Sequence, residues 1–224
     1  MIRGVTFDFG GTLAQGAFDR ETFRNRFLDY LLSLDFSGGE DQLNKAKDRM
    51  LERLGRARSR NREIRLEDLY QDVLFELGLR PERDVIGRIN QLYMDSFQTK
   101  IIEGVEEILK DLSERYKLAV ISNAMSDVPR YALKKFGLER YFVAVVISRD
   151  LGIRKPDPEI FNFTLNRLDV ENVEAIHVGD SLEHDIKGAR NAGMKTVWVK
   201  NDNQVPDIEP DYTIHSITEL TSFL

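Results

Sequence analysis

The sequence predicts an α/β protein, a parallel sheet with crossover helices into which a helical unit is inserted early in the chain. Three observations carry this expectation. Apolar runs bounded by turn residues alternate with segments of helical period. Residues 15–100 break that alternation and read as helices alone. The polar residues best suited to chemistry stand just after the apolar runs, at the strand ends where open α/β sheets bind ligands.

The first strand is read over 3–8, where Gly4-Val5-Thr6-Phe7 ends in Asp8 and the turn Phe9-Gly10-Gly11-Thr12-Leu13 follows. From 15 to 100 no convincing strand is found. Four helix-like stretches span roughly 18–34, 40–57, 66–78 and 82–97, with Leu31, Leu54, Leu69, Val73, Ile89 and Tyr93 recurring at helical spacing. They predict the inner faces of a small bundle. Beyond it, strands at 117–122, 143–147, 174–179 and 195–199 alternate with helices near 104–115, 127–136, 158–168 and 183–192. Pro158 opens the third of these helices and Gly193 follows the fourth. Pro210 to Ser216 reads as a short edge strand leading into a terminal helix.

Composition narrows the function classes. Across 224 residues, 32 Lys and Arg stand against 38 Asp and Glu, a net charge of −6 that offers nucleic acid no broad basic field. No apolar run approaches the ~18 residues of a membrane span, and no targeting signal is read. With no cysteine in the chain, disulfides, thiolate metal sites and a cysteine nucleophile are excluded. A cytoplasmic protein is expected, with neither nucleic acid nor membrane as partner.

Four strand ends supply the candidate site. Asp8 is a candidate nucleophile or metal ligand, beside a glycine turn whose N–H groups can approach an anion and a Thr12 hydroxyl that can donate to one. Ser122-Asn123, after the strand at 117–122, offers a hydroxyl and amides to an oxyanion, or caps a helix. Lys155, just before a proline-started helix, brings a fixed positive charge to that edge, or is a solvated surface lysine. Asp180, in Gly179-Asp180-Ser181, and Asp185 suit a hard divalent cation, or serve as an N-cap and a surface acid.

In this order, each after its own strand, the four motifs resemble those of the haloacid dehalogenase superfamily of aspartyl phosphohydrolases. The resemblance runs nearly the whole chain. Asp8-Phe9-Gly10-Gly11-Thr12 is similar to the first motif, Ser122 to the second, Lys155 to the third, and Gly179-Asp180-Ser181 with Asp185 to the fourth. The resemblance implies a Rossmann-like core of 1–14 and 101–224, with helices on both faces, and a C1-type helical cap of 15–100. It implies a Mg2+ site of Asp8, Asp180 and the carbonyl of Gly10, supported by Asp185. It further implies Asp8 and Lys155 as catalytic residues, with Gly11, Thr12, Ser122, Asn123 and Lys155 holding the phosphate of a small phosphorylated substrate. The expected assembly is a monomer or homodimer.

One position departs from the pattern. Phosphatases of this family carry an aspartate two residues after the nucleophile, as general acid and base, and here that residue is Gly10. Loss of such a group costs on the order of 10²–10⁴-fold in rate. Three readings follow: a slow phosphohydrolase, a phosphonatase-like enzyme using cap lysine Lys45 or Lys47, or a domain that binds a phosphorylated ligand or partner without turnover. The halide-displacing branch also lacks this aspartate, but it needs no Mg2+, and the Asp180/Asp185 pair argues against it. His184 is a conceivable stand-in base expected to point outward, and His177 is expected to be buried and hydrogen-bonded. Arg53, Arg56, Arg58, Arg60, Arg62 and Arg65 cluster in the cap, where a solvated surface stretch is expected and attraction of an anionic substrate is the alternative.

Overall fold

The computed structural model describes residues 1–200 and 208–224. Its centre is a six-stranded, all-parallel sheet of β1 (Gly4–Phe7), β4 (Lys117–Ser122), β5 (Ala144–Ile147), β6 (Ala175–Gly179), β7 (Lys195–Val199) and β8 (Tyr212–Ile214), in the order β5-β4-β1-β6-β7-β8. β1 lies in the middle, with Val5 opposite Leu118 and Ile176, and Phe7 opposite Val120 and Val178. Its four residues are buried because helices cover both faces of the sheet.

The alternation of side chains along each strand sorts the core into two layers. Val5, Phe7, Leu118, Val120, Ile176 and Val178 pack on one face against α5 (Val105–Ser113), α6 (Val128–Lys135) and the C-terminal 3₁₀ turns of Ile217–Ser222. Ala119 and Ile121 face the other way, towards α8 (Pro158–Leu168) and α9 (Lys187–Asn191), where Phe161, Leu165 and Ala189 meet them. Asp157 caps α8 by accepting from the Glu159 N–H at 3.1 Å, and Pro158 takes the first helical position. A short α7 (Ser148–Leu151), unseen in the sequence pattern, follows β5 directly.

The cap consists of α1 (Arg20–Ser33), α2 (Glu40–Arg58), α3 (Leu66–Glu76) and α4 (Arg83–Asp95), which enclose a core of Phe23, Leu31, Leu66, Leu74, Ile89 and Tyr93. Phe18 and Phe27 pack against that core. Among the described residues, no helix is long and apolar enough to cross a membrane.

The expectation of helices alone between 15 and 100 is corrected. β2 (Ala14–Phe18) and β3 (Phe97–Ile101) form an antiparallel ribbon in which Ala14 faces Ile101 and Phe18 faces Phe97. Ala14-Gln15-Gly16-Ala17 has weak strand propensity. It is the return of the chain alongside it that supplies the hydrogen bonds. The helix expected from 18 therefore starts at Arg20, after an Asp19 N-cap, and the one expected to 97 stops at Asp95. The helix expected over 183–192 is also interrupted, by a single π-helical turn at Leu182–Ile186 before α9.

Candidate active site

Because the sheet is parallel, β1, β4 and β6 all end at the same edge, and Asp8, Ser122 and Asp180 meet there. Asp8 follows β1 and is held in line by its N–H donating to the Val178 carbonyl at 2.8 Å. The chain then turns sharply, with Gly11 N–H on the Ala14 carbonyl at 2.7 Å and Gly11 at φ +82. A Cβ on Gly11 would lie 2.1 Å from Asp180 Oδ2, so only glycine fits both the turn and the carboxylate against it.

Lys155 is the hub. The residue is 1% exposed, and its ammonium donates to Asp8 Oδ1 at 2.6 Å, to Asp185 Oδ1 at 2.6 Å and to the Ile121 carbonyl at 2.8 Å. Its backbone is fixed by Asn123, whose side chain accepts from the Lys155 N–H at 2.8 Å and donates to the Lys155 carbonyl at 2.9 Å. The Asn123 side chain is thus engaged in positioning Lys155, which leaves only its main chain for an anion. His177 extends the network behind the site. Its Nδ1 is 2.8 Å from the Thr6 hydroxyl and its Nε2 is 3.2 Å from Asp185 Oδ1. As expected from the sequence, it is wholly buried and hydrogen-bonded.

The electrostatics follow from burial. Burial pushes the Asp8 carboxyl up to about 7; Lys155 opposes that rise, while Asp185 and Asp180 reinforce it. Burial also weighs against the charges on Lys155 and Asp185, but their pairing overcomes it. Lys155 stays above its ordinary range and Asp185 well below the usual carboxylate range, with His177 assisting the latter. Asp8, Asp180 and Asp185 each bring an oxygen within 4.8 Å of the others. Three carboxylates sharing a buried site with one ammonium leave an excess of two negative charges. An all-oxygen donor set with that excess fits a hard divalent cation.

A cavity of about 430 Å³ opens over this cluster and is lined by both halves of the molecule. Asp8, Gly10, Ser122, Asn123 and Lys155 form its floor, and Arg58, Tyr93, Phe97 and Thr99 reach it from the cap and ribbon. The volume suits a compound the size of a phosphorylated metabolite. Gly11 and Thr12 do not line it. Thr12 is 1% exposed, tucked beneath the turn with its hydroxyl unpartnered. A Cβ on Gly10, by contrast, would meet nothing within 4 Å.

Two further placements differ from the sequence reading. His184 does not point outward: it is half-buried, lines the cavity, and is held below the ordinary imidazole range by burial and then by Arg154. The π turn is the reason, because Asp185 and Ile186 N–H groups both reach the Ser181 carbonyl, at 2.9 and 3.1 Å, and the added residue shifts the helical phase. Arg58 separates from the other arginines of its cluster by lining the cavity, joined there by Arg154. Neither was marked by a motif. Lys45 and Lys47 are exposed on α2 and do not line the cavity.

The cap is tied down beside the site. Leu66 N–H donates to Met125 O at 2.8 Å, Glu63 N–H to Gly152 O at 3.0 Å, and Arg154 N–H to Asn61 O at 3.1 Å. Buried Arg149 adds a 2.8 Å ion pair to Glu67 of α3.

The family model for haloacid dehalogenase-like hydrolases matches residues 41–199. The chain is similar to the glyceraldehyde 3-phosphate phosphatase of Methanopyrus kandleri, 29% identical over 94% of each protein. It is 31% identical to the phosphoserine phosphatase of Thermus thermophilus over 69% of this chain and 63% of that one. Among solved structures, the 2-haloacid dehalogenase of Pseudomonas syringae aligns with a TM-score of 0.79 at 28% identity, covering 99% of this chain and 97% of the other.

Proposed function

The chain belongs to the haloacid dehalogenase-like hydrolase family, and from that premise we propose that it hydrolyses the phosphate monoester of a small compound, with Asp8 as nucleophile. The observation that supports this most directly is the buried cluster in which Lys155 bridges Asp8 and Asp185 beside Asp180. A phosphate dianion repels a carboxylate, so the site has to neutralise it before attack. Mg2+, held by Asp8, Asp180 and the carbonyl of Gly10 with Asp185 in support, supplies that neutralisation when bound.

The chain's own groups do the rest. Lys155 keeps Asp8 aimed and offsets its charge, and Ser122, 5% exposed at the cavity floor, donates to a phosphoryl oxygen. An Asp8 oxygen attacks phosphorus, the ester P–O bond breaks, and the alcohol oxygen leaves with the bonding pair. Water then attacks the phosphorus of the aspartyl-phosphate, releasing orthophosphate and restoring the carboxylate. Gly10 brings no side chain to protonate the departing oxygen, so leaving groups that are stable as anions react fastest.

The resemblance to a 2-haloacid dehalogenase favours a second reading, in which Asp8 displaces halide from a 2-haloacid. The charge balance argues against it, since halide displacement needs no metal, whereas three carboxylates around one ammonium keep an excess of negative charge that only a bound cation offsets. Release of phosphate from p-nitrophenyl phosphate, with and without Mg2+, tests the proposal, and chloride release from 2-chloropropionate tests the second reading. Metal-dependent phosphate release that disappears in Asp8→Asn is expected. Failure to release phosphate from any of a broad panel of esters would overturn the proposal.

A further inference from the structure

Glu63 stands between two arginines at the cavity wall. Its side chain is fully buried, and Oε2 accepts from the Ser148 hydroxyl at 2.9 Å. Arg58 Nε lies 3.9 Å from Oε1 and Arg154 Nε lies 3.9 Å from Oε2. One arginine ends α2 of the cap, and the other immediately precedes Lys155 in the core. Both contacts to Glu63 are made through Nε. Among the described residues, neither guanidinium donates a side-chain hydrogen bond, so the planar ends of both forks are available in a cavity they share with Asp8 and Lys155.

Two guanidiniums against one carboxylate leave one positive charge at this wall, separate from the balance struck around Lys155. We propose that Arg58 and Arg154 form a subsite for a carboxylate, so that the preferred substrate is the phosphate ester of a small hydroxy acid rather than of a neutral alcohol or sugar. This rests on the phosphohydrolase reading above for the identity of the other end. The match is one of geometry and charge. A carboxylate takes paired N–H donors from a guanidinium fork, and its single charge equals the local excess, which a phosphate dianion would exceed. Because one fork comes from the cap and the other from the core, a carboxylate between them also joins the two halves over the reacting phosphate.

The test uses 3-phosphoglycerate and glycerol 3-phosphate, both phosphate esters of a primary alcohol, which differ in a carboxylate replacing a hydroxymethyl group. Titration calorimetry on Asp8→Asn with Mg2+ reads binding independently of turnover. The carboxylated ester is expected to bind at least ~10-fold more tightly, the scale of one charge-assisted hydrogen-bond pair. Adding Arg58→Gln or Arg154→Gln is expected to bring the two esters within about 2-fold, with Arg58→Lys retaining part of the preference. Arg58 is 42% exposed in its side chain, so its replacement leaves the cap core untouched. Equal binding of the two esters, binding of neither, or a preference that survives both glutamine variants would overturn the inference. Preferential binding with no turnover by the wild type would instead remove the hydrolase reading and leave this subsite standing.

Discussion

Gly10 decides what Asp8 can accomplish alone. The position is open to solvent, and a Cβ there meets nothing within 4 Å, so Gly10→Asp starts without a backbone or Cβ clash. We expect that variant to accelerate hydrolysis of alkyl phosphates by at least ~10-fold, a modest part of the general acid/base range, with little change on p-nitrophenyl phosphate. An unchanged rate on alkyl esters would show that another group already carries the proton. Asp8 itself gives a pH signature. In the unfolded chain it titrates near 3.8 and in the metal-free folded protein near 7, so its contribution to stability is full below about pH 4 and is lost as pH rises through 7. Thermal melts are therefore expected to show Asp8→Asn stabilising the metal-free protein at pH 8 but not at pH 4, by about 2–4 °C for each kcal/mol regained. Mg2+ is expected to raise the wild-type melting temperature more at pH 8 than at pH 5, because at pH 5 it has to displace the Asp8 proton.

At the scale of elements, legibility depended on whether local sequence or distant pairing built the structure. β1, β4 and β6 were readable because strands buried on both faces are continuous apolar runs, and a polar residue ending such a run marks the sheet edge. Asp8, Ser122 and Asp180 are legible that way, whereas Lys155, separated from β5 by α7, is legible only from the proline-started helix after it. The ribbon is not, because Ala14-Gln15-Gly16-Ala17 becomes a strand only when residues 97–101 return beside it. His184 was misdirected for a related reason, since nothing in Leu182-Glu183-His184 announces a π turn. Arg58 and Arg154 needed the whole fold to meet. Two glycines test these elements. Gly11→Ala combines a strained φ with an approach of 2.1 Å to Asp180, and should weaken Mg2+ binding by calorimetry at least ~10-fold, the usual order for disturbing a ligand's support. A Cβ at Gly16 would sit 2.0 Å from the Gln98 carbonyl oxygen. Gly16→Val should therefore open the ribbon, read as faster amide exchange at residues 14–18 and 97–101.

Across the whole molecule, the cavity is shared property of two packed units, and its completeness depends on their docking. Met125, from the loop after β4, packs against the cap's own core, while Arg149 pairs with Glu67 and Ser148 with Glu63. Arg149→Met removes a buried tie and leaves Glu67 only the Asn90 amide at 3.3 Å and Arg65 at 3.9 Å, at a cost of about 1–3 kcal/mol. That cost is expected to appear as a raised KM, with near-UV spectra showing the core intact; a KM equal to wild type would mean the docking does not gate the site. The ribbon carries a different consequence. Since Ala14 and Ile101 face each other across an antiparallel pair, the backbone leaves the sheet and re-enters it at almost the same point. The core therefore offers a socket. A short turn could close it, or any compact module with neighbouring termini could be spliced in, exchanging the selectivity of the enzyme while its phosphoryl chemistry stays where it is.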